Sequence, residues 1–310
     1  MREKLERIPF AMSGVMLAYA TLGFLLRDMG GTVYHACSII AGVLLVVLAV
    51  RIVVCLPYVK EEMLDPVKCS VSATFSMGMI LLTDYARPVL GKADTIIWIA
   101  AVALHVYLMI FFNGHNLYQF KIENVYATYF IFYAGLSTVA DTAPIFGMRG
   151  VGVWFSKVSM ILVLILFFVI TYRYIKFPKI ENRNKALICT YASPVSLLIV
   201  GYLACETSPL LPLVTVLAFV SIAAYLFAAY HGVRVLAGTF YPSFAALTFP
   251  FVVSALAMKR VSEYAASMGG VSFLGWTSYV YPAQVVIAVI LMVYITLRFV
   301  LSYVNNDPNM

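Results

Sequence analysis

The sequence predicts an all-α integral membrane protein: ten transmembrane helices set as five tandem helical hairpins around a central pore. Three observations carry that prediction: composition, the number of long apolar runs, and the regular spacing of those runs. Of 310 residues, 63% are hydrophobic and 11% charged, against about 45–50% and about 25% in soluble domains. A soluble core cannot hide that much apolar surface. One bundle, residues 1–310, accounts for the whole chain.

A helix needs roughly 17–25 apolar residues to cross about 30 Å of hydrocarbon, and fewer where it lies inside a bundle. Ten runs meet that length, and they alternate in character. The odd runs cover about 8–26, 69–83, 125–140, 186–204 and 243–258; the even runs cover about 34–56, 95–112, 151–172, 210–230 and 278–302. The first carries SGVMLAYATLG (13–23), small and hydroxyl-bearing; the second carries GVLLVVLAV (42–50), apolar all round. The third opens CSVSATFSMG (69–78), and the fourth holds His105 in mid-span. The fifth contains the bulky YATYFIFY, and the sixth the long apolar SMILVLILFFVI (159–170). The seventh contains CTYASPVS (189–196); the eighth is again plain. The ninth falls within YPSFAALTFPFVVSALAMKR (241–260), and the tenth holds VVIAVILMVYI (285–295). A helix facing lipid must be apolar around its circumference, whereas one facing close neighbours or a cavity need not be. The odd helices are therefore expected inside and the even ones outside.

The odd runs open near Ile8, Lys68, Asn124, Lys185 and Pro242, at intervals of 60, 56, 61 and 57 residues. A fixed period of this size marks a tandem supersecondary unit. Here the unit is an antiparallel hairpin, so the five odd helices point the same way and enclose an axial channel. Lys and Arg concentrate beside the amino-terminal ends of the odd runs, which predicts a multi-pass protein of the cell membrane with both termini cytoplasmic.

Thr248-Phe249-Pro250 interrupts the ninth run. Proline removes a backbone hydrogen bond and clashes with the preceding turn, so a helix must bend there. Small residues around it (Ala245, Ala246, Ser254, Ala255, Ala257) let other backbones approach. Phe249 reads as the obstruction of a narrow passage; the plainer alternative is a kinked helix with a core phenylalanine.

Enzyme chemistry finds no foothold. HExxH, GxSxG, GxxxxGK[ST] and GxGxxG are all missing from the sequence, and with them the usual metal, nucleophile and phosphate motifs. The four histidines are dispersed and the five cysteines form no CxxC. No cofactor, metal or nucleic-acid partner is expected. His105 reads as a hydrogen-bonded packing residue or, alternatively, as a ligand or relay. Asp84, Asp141 and Glu206 read as wetted loop or mouth residues at the far ends of odd helices, not as buried general bases.

Within the five odd runs there is no Asp, Glu, Lys or Arg. An uncharged lining holds an anion weakly enough to release it, while acidic rings suit cation channels. Lys68 and Lys185 stand at the starts of odd helices, and Lys259 and Arg260 at the end of the ninth. They are candidate positive mouths, or alternatively plain topology determinants.

Several stretches resemble the tellurite-resistance/dicarboxylate transporter family, which includes bacterial TehA, the plant guard-cell slow anion channels and fungal malate permeases. The ten-run, five-hairpin layout covers the whole chain. Locally, Ile8-Pro9 with Ser13-Gly14 resembles the family's first helix, and Asp65-Pro66-Val67-Lys68 the start of the third. Ala192-Ser193-Pro194 resembles the seventh, and Ala246-Leu247-Thr248-Phe249-Pro250, followed by Ser254, Ala255, Ala257 and Lys259, the ninth. The resemblance implies a homotrimer with a pore in each protomer, Phe249 as the pore-occluding ring, and Gly14 as a small position near it. Pore-lining or gate-adjacent positions expected alongside are Ser13, Ser76, Tyr129, Ser193, Pro194 and Pro250. The family's mid-span prolines in helices one, three and five are replaced here by Met16, Ser76 and Tyr129. The expected function is a channel for chloride, nitrate or similar monovalent anions. The alternative is a secondary transporter for C4-dicarboxylates such as malate, or for tellurite-type oxyanions.

Overall fold

A computed structural model describes residues 2–118, 120–269 and 272–307. All regular secondary structure among these residues is helical. Short α1 (Arg2–Glu6) leads to α2 (Met12–Leu25) and α3 (Gly31–Val54), then short α4 (Leu56–Glu62), α5 (Pro66–Leu90) and α6 (Asp94–Tyr118). There follow α7 (Phe130–Thr142), α8 (Arg149–Lys176), α9 (Ser193–Cys205), α10 (Leu211–Leu236), α11 (Phe249–Ser267) and α12 (Thr277–Val304).

Among the described residues, seven helical stretches are long and apolar enough to cross a membrane. One of them, Pro66–Asn116, runs through α5 and α6 because only a 3-10 turn separates the two. The stretches fall into two groups by burial. In their most apolar windows, Asn182–Cys205 is 89% buried and Pro242–Ser267 83%, whereas Gly31–Val54, Arg149–Lys176, Leu211–Leu236 and Thr277–Val304 are 22–33% buried. α2, α7 and α9 are short, at 14, 13 and 13 residues, and nearly every side chain in them is buried. A buried helix can be shorter than the hydrocarbon is thick, because protein rather than lipid meets its ends.

Three of the buried segments share a plan that apolar runs do not reveal. A 3-10 stretch comes first and an α-helix follows: Ala127–Tyr129 before α7, Asn182–Ala192 before α9, Pro242–Leu247 before α11. α2 is preceded by i→i−3 turns at Met12, Ser13 and Gly14. The prolines explain two of the junctions. Pro194 and Pro250 lie in the first turn of α9 and α11, where the missing N–H has no intrahelical acceptor to lose. The expected mid-helix bend is thus a change of helix type. α5 is the exception: Asp65 caps it by accepting from the backbone N–H of Val67 and Lys68 at 2.9 and 3.0 Å, and it runs as one α-helix.

Side-chain ties gather the helix ends at two faces. On the amino-terminal face, fully buried Arg51 donates to Glu62 Oε2 at 2.6 Å and to the Leu5 carbonyl at 3.2 Å. Ser70 donates to Thr128 at 2.7 Å, Arg173 to the Glu123 carbonyl at 2.9 Å, and Arg7 bonds Asn306. On the far face, Lys259 donates to Asp28 Oδ2 at 2.6 Å and to the Leu25 carbonyl at 3.2 Å. There, too, Trp98 donates to Thr142 at 2.9 Å.

Candidate functional site

The buried segments leave two cavities along their common axis. The larger, about 320 Å³, takes a wall residue from each of α2 (Thr21), α5 (Leu81), α7 (Thr138), α9 (Val200) and α11 (Val253). The smaller, about 40 Å³, takes one from each of the same five segments nearer the amino-terminal face: Gly14, Thr74, Thr128, Thr190 and Ala245. Phe249 borders both cavities and is 5% exposed. It is the first residue of α11, held at the junction where Thr248 adopts φ −98°, ψ −84° and Pro250 starts the helix.

The smaller cavity is lined by small residues, hydroxyls and the larger apolar Val71, Ile131, Leu187 and Phe249, with no charged side chain among them. Many of the hydroxyls near it give their protons to backbone. Ser13 and Thr74 lie 2.6 Å apart, and each also donates to the carbonyl three residues earlier, at 2.7 Å. Two protons therefore serve three bonds, and one bond is always unmade. Behind the junction, Ser254 donates to the Ala192 carbonyl at 3.0 Å and lies 3.1 Å from Ser196, joining α11 to α9.

The larger cavity carries charge. Arg27 and Arg260 line it together with Asp84 and Asp141. The sequence places both carboxylates at the far ends of helices three and five, just past the apolar runs, as wetted loop or mouth residues. In the structure α5 continues to Leu90 and α7 to Thr142, so both stand on helices that wall the cavity.

The other predicted residues divide. Gly14, Ser193 and Pro250 line the smaller cavity, and Arg260 the larger. Ser13 stands next to Gly14, bonded to Thr74. Ser76 points instead at α6, where it lies 2.9 Å from His105 Nδ1. His105 Nε2 lies 2.9 Å from the Phe132 carbonyl, which can only accept. Nε2 therefore carries the proton, and Nδ1 competes with the Ala73 carbonyl, also 2.9 Å from Ser76 Oγ, for the one Ser76 hydroxyl proton. His105 is fully buried, a tie between α5, α6 and α7. No cluster of potential metal ligands occurs among the described residues. Tyr129 faces outward, donating to the Asn124 carbonyl at 3.0 Å and packing edge-on against Phe112. Pro194 starts α9 and lines neither cavity.

Of the four candidate mouth charges, Arg260 alone lines an axial cavity. Lys68 is 3.5 Å from Glu62, on the amino-terminal face. Lys259 is consumed by Asp28, whose carboxyl the Lys259 hydrogen bond and charge hold below the usual carboxylate range. Lys185 lines a separate, lateral groove between α8 and α10.

Comparison with known families decides the affiliation: residues 7–297 match the voltage-dependent anion channel family. The chain belongs to that family. Its members are anion channels and transporters, and the match agrees with the resemblance carried by the sequence motifs. With its apolar helices, this makes the chain a multi-pass membrane protein. A search of curated proteins returns no match.

Proposed function

We propose that the chain is a channel for chloride, nitrate or similar monovalent anions, its pore walled by five buried segments and closed by Phe249. The observation that carries this reading is the position of that ring. It borders both axial cavities, each of which draws on all five segments. The smaller cavity, at about 40 Å³, has room for about one or two waters. An anion entering it must shed most of its hydration shell, and hydroxyls and backbone dipoles there give weak compensation without a deep well. Opening turns the ring away and joins the cavities.

The same reading takes ten spans as five hairpins, both termini cytoplasmic, and a trimer in the cell membrane with one pore per protomer. The lysine and arginine excess on the amino-terminal face supports the orientation, and the family resemblance supports the trimer.

Phe249→Ala in planar bilayers tests the gate. Chloride or nitrate conductance is expected to rise at least about tenfold, the equivalent of about 1.4 kcal/mol. Loss of a buried phenyl costs about 3–5 kcal/mol in a well-packed core, so a melting curve must show the variant folded. A folded variant as silent as the parent overturns the gate.

One observation favours a second reading, proton-coupled carriage of C4-dicarboxylates such as malate or of tellurite-type oxyanions. Asp84 and Asp141 stand in the larger cavity, and intramembrane carboxylates are the usual proton relays of carriers. Saturable malate uptake that requires a proton gradient and vanishes in Asp141→Asn selects the carrier; ohmic currents in the same variant select the channel.

A further inference from the structure

Between α8 and α10 lies a third cavity of about 1120 Å³, away from the axis. α8 packs on α7 and α9, and α10 packs on the 182–192 segment and on α9, which leaves the space between them open. Its lips are apolar and exposed: Ile175 is 76% exposed and Phe227 42%.

Its floor has a simple origin. In a 3-10 helix every third residue falls on one ridge. Asn182, Lys185, Ile188 and Tyr191 form one ridge of the 182–192 segment, and all four line the groove. Leu187 and Thr190 stand on another ridge and, with Ser193, line the smaller axial cavity. Tyr241 and Phe244, again three apart, complete the floor. Tyr191 is fixed there by edge-on contacts with Phe130, Phe167, Tyr174 and Phe227.

Polarity is graded along the groove. Val220, Ala223 and Phe167 mark one end, and Lys185 and Arg234 the other, at the amino-terminal face. From Val220 to Arg234 is 14 residues of α10, about 21 Å of rise, the height of one leaflet with its headgroup. Around the polar end, residues 175–185 carry Lys176, Lys179, Arg183 and Lys185 against a single acid, Glu181. That acid is paired with Arg183 at 2.6 Å. Arg234 is exposed and lies over the Tyr230 ring at 4.1 Å.

We propose that this groove binds one phospholipid with a net-negative headgroup, drawn from the leaflet at the amino-terminal face. The acyl chain lies along Phe167, Ala223 and Phe227, and the phosphate meets Lys185 and Arg234. Charge complementarity selects this occupant: a zwitterionic headgroup leaves the excess cations unpaired, and basic pockets between membrane helices suit anionic headgroups. The site is independent of the reading of Phe249.

Native mass spectrometry of the full chain, with dioleoyl phosphatidylglycerol and dioleoyl phosphatidylcholine offered at equal concentration, tests it. The parent is expected to retain one phosphatidylglycerol in preference to phosphatidylcholine. Lys185→Gln with Arg234→Gln should lower that preference about fivefold for each cation removed. Lys4→Gln with Lys60→Gln, exposed lysines on α1 and α4, should leave it unchanged. Ala223→Trp, which fills the groove, should release both lipids even if the double-glutamine variant folds poorly. A benzoylphenylalanine at position 227 should cross-link to lipid. Equal retention of both lipids by the parent overturns the proposal. So does an equal loss in the Lys4/Lys60 control, or a chain-to-chain cross-link from position 227, which assigns the groove to a second copy.

Discussion

The two cavities that meet at Phe249 share their walls but little else. The same five segments line both, yet one holds about 320 Å³ with two arginines and two carboxylates, and the other about 40 Å³ with no charge. The walls differ in the side chains each half presents: the far half carries Arg27, Asp84, Asp141 and Arg260, whereas the other half presents Gly14, Ser193 and small alanines, which let backbones close in. In the proposed channel, a wide charged chamber next to a narrow neutral one would divide two tasks: the first would gather ions and the second would set the passage rate.

The strongest way to break this contrast is to merge the chambers. Phe249→Ala is expected to raise conductance most, Phe249→Leu less, in single-channel recordings. Adding Gly14→Leu to Phe249→Ala should cancel most of the gain. A Cβ at Gly14 already stands 3.6 Å from Ala245 Cβ, so the extra carbons enter the small chamber. Next in size is a change to the wall of the larger one. A Cβ at Gly201 on α9 meets the Ser137 carbonyl of α7 at 2.6 Å. Gly201→Ala must push those helices apart, costing about 1–3 kcal/mol, read as a lowered melting temperature.

Charge in the larger chamber sharpens the contrast more gently. In water-like surroundings a unit charge about 7 Å from an anion contributes about 0.6 kcal/mol, or roughly threefold in occupancy. Asp141→Asn in the Phe249→Ala background should raise anion current by about that factor, and Arg260→Gln should lower it. Both effects should shrink at high salt. The smallest effect belongs to the rim. Lys259 holds the folded-state carboxyl of Asp28 below its ordinary value. The stability this pair contributes is present above the unfolded carboxylate value and lost as pH falls through the lower folded one. Asp28 is largely exposed, with 73% of its side chain accessible, so Asp28→Asn should cost no more than about 1 kcal/mol near neutrality. Thermal melts at neutral pH and well below pH 4 should show the gap between parent and variant closing in acid.

Much of this was legible in the sequence, because apolar length and composition register burial directly. The helix break before α11 was legible too, since Pro250 cannot continue a hydrogen-bonded turn. Orientation about a helix axis was harder to read. Ser76 and Tyr129 sit in the right runs, but one faces His105 and the other Phe112. Asp84 and Asp141 read as loop or mouth residues because a charged residue ends an apolar run on paper, whereas the helices that carry them run on past it along the polar cavity. Lys185 was placed at an axial mouth by position along the chain. The three-residue ridge that turns it to the groove depends on a 3-10 winding that NRNKALICTYA does not announce.

That ridge pattern has a mechanical corollary. Eleven consecutive 3-10 residues, Asn182–Ala192, are far more than such helices usually sustain. The neighbours, rather than the segment's own bonds, keep it stretched. Rewound as an α-helix, it would shorten by about 0.5 Å per residue, some 5.5 Å in all. Each ridge would also rotate out of register. The segment that lines both the lateral groove and the smaller axial cavity is therefore an extended spring, and relaxing it would redraw both surfaces at once.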